Sequence, residues 1–197
     1  MAPGTNICLP NSSLSVTSIG SGTSYSAPIV TGLVAQLMQS NYITRFNPYT
    51  VKSYLCCASS NDSIAGVTPS YNTLMNETGA GLVNAVKAHS VSVSGNDYYG
   101  VWLSSTISSP YYNTEETIYL QQGDRIRIAM AFSKAEDLVL TAAYGNDIDI
   151  RLISSSGAST YCALGSSKKN NVEIIDEVVP TTGCYFYLQM RLWDAIV

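Results

Sequence analysis

The chain has 197 residues, 46% of them hydrophobic and 12% charged, with 10 Lys and Arg against 14 Asp and Glu for a net charge of −4. This composition suits a packed core and excludes a disordered tail. It also offers no polybasic field for nucleic acid, and no run approaches the roughly 18 consecutive apolar residues that span a bilayer.

By length, one large domain or two small ones fit. The first ten residues carry neither a basic n-region nor an apolar h-region, so no export signal is read there. The opening Ala2-Pro3-Gly4 and a Ser-rich stretch give way to Ile29, Val30, Leu33, Val34, Leu37 and Met38. Their spacing predicts a helix from about Ser24 to Gln39. Gly32 and Ala35 interleave with that stripe, so close approach of a neighbouring backbone and burial on more than one side are expected. A second helix is expected from Pro48 to Ala58, with Pro48 in its first turn. A third should follow Gly81, over Leu82, Val83, Val86 and Lys87, and end near His89. Asn61 to Thr78 reads as a polar surface excursion.

From Val91 the period changes to two. Ile126, Ile128, Met130 and Phe132 form one strand pattern, Ile148 to Leu152 a second and Cys184 to Leu192 a third. Tyr98 to Leu103, Glu116 to Leu120 and Asn171 to Ile175 are further candidates. Short strands without intervening helices predict an antiparallel sandwich of the jelly-roll kind, and a division into residues 1–90 and 91–197. Charge follows this division, with 3 basic and 2 acidic side chains in the first part and 7 and 12 in the second. The five cysteines, Cys8, Cys56, Cys57, Cys162 and Cys184, show no C-x-x-C spacing, so no zinc site is assigned. Buried free thiols are expected, with a Cys162–Cys184 bridge across the sandwich as the alternative.

Chemistry concentrates in Gly22-Thr23-Ser24-Tyr25-Ser26-Ala27-Pro28 at the start of the first helix. Unused N–H groups and the positive end of the dipole favour negative charge there, so an oxyanion formed on Ser24 would be stabilised by that residue's own N–H. Taken alone, the same residues also fit a plain helix cap by Ser24 or Thr23. Other serine hydrolase patterns fail on spacing. The residue two after Ser24 is Ser26 rather than the glycine of G-x-S-x-G, and the residue three after it is Ala27 rather than the lysine of S-x-x-K.

Ala2-Pro3-Gly4, then Gly22 to Pro28 with Gly32, then Gly79-Ala80-Gly81-Leu82-Val83-Asn84-Ala85 occur in this order. Together they resemble the subtilisin-like serine proteases over residues 1 to about 89. The resemblance implies an α/β fold and makes Ser24 the nucleophile that forms an acyl-enzyme on a protein or peptide substrate. It also implies an extracellular setting. In that family the histidine base, its aspartate and an asparagine oxyanion donor precede the serine, and none of them is found here. The single histidine, His89, lies 65 residues after Ser24 and reads as an ordinary surface or helix-end residue. The chain thus looks like the C-terminal part of a catalytic domain. It needs the upstream part as a partner and, without it, is expected to be insoluble or molten.

Residues 91 to 192 carry a second resemblance. Gly123 to Ala129, Asn146 to Ile150, Asn170 to Glu173 and Thr182 to Tyr185 look like the β-sandwich that follows the catalytic domain in some secreted subtilases. Related sandwiches hold calcium, for which Asp147 and Asp149 offer hard oxygen ligands. Turn capping and solvent-facing alternation explain the same two residues, so no metal is assigned to them. The alternative to an enzyme is a non-catalytic remnant whose sandwich binds glycan or protein.

Overall fold

The computed structural model describes residues 1–13, 16–62, 78–95, 111–132, 147–155, 163–165, 171–179 and 184–193. They fall into two compact units, one holding the described residues up to 95 and the other those from 111 onward.

The first unit opens with an antiparallel hairpin of β1 (Ile7–Pro10) and β2 (Val16–Gly20), in which Ile7 stands opposite Gly20. The short alternation that makes it a strand pair, Ile7 and Leu9 half-buried around an exposed Cys8, is hidden in a Ser-rich context. α1 (Thr23–Ser40) follows, then a 3-10 turn at Tyr42–Arg45 and α2 (Pro48–Ala58), which has the bounds expected. Asn47 starts α2, its side chain accepting the N–H groups of Tyr49 and Thr50, and Pro48 fits the first turn because its missing N–H is not needed there.

α3 (Ala85–Val93) begins later than expected and runs past His89. Leu82 is instead extended and bridges antiparallel to Ser60. Gly81, at φ 103, allows that contact, since a Cβ there would collide with the Ser60 carbonyl. Helix starts only where the Asn84 side chain accepts the Lys87 N–H. The two described ends of the excursion after α2, Asn61 and Thr78, are buried rather than on the surface.

Leu33 and Leu37 of α1 pack with Ala58 of α2 and Ala88 of α3, flanked by Leu55 and Val83. Each buried leucine contributes about 1.5–3 kcal/mol. The small alanines let the three helices approach. The expectation of burial on several sides is corrected: Ile29 is 42% exposed, and no described atom lies within 4 Å of a Cβ built on Gly32. Packing against α2 and α3 covers one stripe of α1, and the described residues supply nothing for the other.

The second unit holds two antiparallel sheets. One has the order β3-β8-β5-β6, made from Tyr111–Leu120, Cys184–Trp193, Asp147–Ser154 and Ala163–Gly165, and the other pairs β4 (Arg125–Ala131) with β7 (Val172–Val178). β6 was not anticipated, and the candidate strand Tyr98 to Leu103 lies outside the described residues. Leu120, Ile150, Leu152, Ile175, Val179 and Phe186 form the core, with Ile126, Ile128 and Met130 of β4 packed against it. These are the residues that period-two alternation turns to one face. On the other face of β4 and β7, Asp176 is 1% exposed and takes a bidentate pair from Arg125 (2.8 and 3.1 Å) and a further bond from Arg127. β3 carries a register shift between Asn113 and Thr117, where the Thr114 hydroxyl accepts the Leu188 N–H and donates to the Leu188 carbonyl.

Candidate functional site

Ser24 is the second residue of α1 and is exposed. The cap is Gly22, which makes no side-chain capping bond. At φ 153 and ψ 161, Gly22 occupies a region essentially closed to other residues. The Ser24 hydroxyl therefore does not serve as the N-cap, and among the described residues it makes no hydrogen bond. By its position in the helix, its N–H has no acceptor in the ladder. Its carbonyl is released as well, because Pro28 stands four residues on without an N–H to offer.

The loop before this serine is tied to the opening segment of the chain, which is tied in turn to Gly79 to Ala85. The Gly22 N–H donates to the Gly4 carbonyl at 2.7 Å, and the Tyr25 N–H to the Gly22 carbonyl at 3.1 Å. The Tyr25 ring lies over Gly20, leaving no room for a side chain there. Asn6, at φ 56, turns its N–H to Ser21 Oγ at 3.0 Å. At its other end the opening segment is held by Gly79 to Ala85: the Met1 nitrogen donates to the Gly81 carbonyl at 2.6 Å and the Val83 N–H to the Met1 carbonyl at 2.9 Å.

His89 is exposed in the middle of α3 rather than at a helix end, and among the described residues no histidine is bonded to Ser24. The described residues hold no group of three or more His, Cys, Asp and Glu able to bind a metal. The solvent-facing reading of Asp149 is corrected. It is 5% exposed on β5, an interior strand between β8 and β6, and stands opposite Arg191. Cys8 is an exposed thiol, and Cys56 and Cys57 are half-buried thiols, so full burial holds for none of these three. Cys162 lies outside the described residues. No helix among the described residues is long and apolar enough to cross a membrane.

Asn41 escaped sequence reading because a lone Asn after a helix looks like any turn residue. Its Nδ2 donates to the Ser92 carbonyl at 2.5 Å and to Tyr54 Oη at 3.3 Å, while its Oδ1 accepts the Ile43 N–H at 2.9 Å. One amide thereby joins the end of α1, the 3-10 turn, α2 and α3, and fixes the helix that presents Ser24.

No curated protein matches the chain. The model of the subtilase family, peptidase S8, matches residues 1–81, the stretch that contains Ser24, and links this part of the chain to a family of serine peptidases.

Proposed function

We propose that residues 1–90 are the nucleophile-bearing part of a subtilisin-like serine endopeptidase, with Ser24 attacking the peptide carbonyl. The observation that carries this reading is an exposed hydroxyl at the start of an 18-residue helix, relieved of any capping role, inside the segment that matches the subtilase model. The Ser24 N–H and the helix dipole stabilise the tetrahedral oxyanion. The acyl-enzyme is then hydrolysed by water. The proton of Ser24 needs a base, and the only histidine of the 197 residues is His89, out on α3. The base, its orienting carboxylate and the side-chain oxyanion donor are therefore assigned to an upstream part of the same catalytic domain. The open stripe of α1 around Ile29 and Gly32 is where that part packs. The second unit is read as a jelly-roll module that stabilises the enzyme or helps place substrate, and the setting as extracellular.

A fluorophosphonate probe tests this on the complete protein that carries these residues. Peptide mapping is expected to find the adduct on Ser24, and Ser24→Ala is expected to abolish it together with casein hydrolysis. Absence of labelling, or labelling that survives the substitution, sinks the proposal. It would favour the non-catalytic remnant, whose support is the lack of a base beside Ser24 among the described residues.

A further inference from the structure

Gly4 lies twenty residues before Ser24, yet its backbone supports the loop that carries the hydroxyl. Its carbonyl accepts the Gly22 N–H at 2.7 Å. A Cβ at residue 4 would stand 2.9 Å from the Gly22 carbonyl oxygen and overlap Ser26 Oγ. The serine hydroxyl gives way by rotating about χ1. The Gly22 carbonyl has less freedom, because it also accepts the Tyr25 N–H at 3.1 Å and so belongs to the first turn of α1. The opposite end of the segment is pinned by the Met1 bonds to Gly81 and Val83. Residues 1–4 are therefore a strap anchored at both ends, and a side chain at position 4 pushes the loop rather than the strap.

We propose that Gly4 is a positioning residue for Ser24: the missing side chain lets the strap seat Gly22 so that the Ser24 hydroxyl and N–H face one reacting carbonyl. This rests on the reading of Ser24 as nucleophile. A misplacement on the order of 1 Å at such a group costs roughly 100-fold in rate. The three atoms nearest a Cβ at residue 4 belong to Ser26 and Gly22, and none to the Leu33 and Leu37 core.

The test uses the complete protein with Gly4→Ala, Ser26→Ala and both together, at a temperature where each shows its full cooperative unfolding transition above it. In Gly4→Ala, the limiting rate of fluorophosphonate acylation is expected to fall about 10- to 100-fold while the half-saturating concentration of the reagent stays the same. Amide exchange in the peptide containing Gly22 is expected to accelerate, with α2 unchanged. Ser26→Ala alone should be near wild type, and the double variant should stay about as slow as Gly4→Ala, because the collision with the Gly22 carbonyl remains; full recovery in the double variant would place the effect on Ser26 and overturn the role of the loop. An unchanged acylation rate in Gly4→Ala, or a loss explained wholly by unfolded protein, overturns the positioning role. If the wild type itself does not react, the nucleophile assignment falls, and exchange at Gly22 still decides whether the strap holds the loop.

Discussion

A serine hydroxyl is a weak nucleophile, and its usefulness depends on what its neighbours leave undone. Gly22 caps without a side chain, so the hydroxyl is not drawn into capping, and Pro28 withholds the donor that would tie up the Ser24 carbonyl. This arrangement requires glycine at position 22, where a residue with a Cβ would be strained. Gly22→Ala places a Cβ at φ 153 and is expected to lower stability by about 1–3 kcal/mol. Chemical denaturation of the complete protein checks the figure. A loss below about 0.5 kcal/mol would mean that the loop relaxes out of this conformation at little cost.

At the scale of elements, α1 is held by two kinds of contact. Leu33 and Leu37 supply apolar burial along one stripe, while Asn41 binds the C-terminal end to the 3-10 turn, α2 and α3. Thr44 reinforces that junction, its hydroxyl donating to the Asn41 carbonyl at 2.6 Å. Asn41→Ala leaves the Ser92 carbonyl and the Ile43 N–H without this partner, and a loss of about 2 kcal/mol is expected. The denaturation midpoint should fall accordingly with an unchanged m-value. Because Asn41 lies at the far end of the helix from Ser24, the acylation rate of the folded fraction is expected to stay within about 3-fold of wild type.

At the scale of the molecule, the two units solve the same problem differently. The first relies on a short helix-packing seam and on three glycine-containing segments joined through backbone hydrogen bonds. The second buries a continuous apolar layer centred on Ile150, Leu152, Ile175 and Phe186. Phe186 is 1% exposed, so Phe186→Ala is expected to cost about 3–5 kcal/mol through lost burial and the cavity left behind. Calorimetry should show the transition of the second unit moving to lower temperature. On the outer face, the charge of the buried Asp176 is compensated by Arg125 and Arg127, which are positioned two residues apart by the same alternation that turns Ile126 and Ile128 inward.

Much of this was legible in the chain itself, because periodicity and capping act locally. Pro48 and the apolar spacing after it determined α2, the alternation around Ile128 and Phe186 determined β4 and β8, and Ser24 stood out through its place in an ordered set of motifs. The β1–β2 hairpin, the late start of α3 and the burial of Asp149 were not legible, since each depends on a partner distant in sequence: Gly20 for Ile7, Ser60 for Leu82, and a neighbouring strand for Asp149. Tertiary structure alone decided how Gly4 meets Gly22 and how Met1 meets Gly81. A glycine advertises that space is needed, and only the folded chain says which atoms fill it.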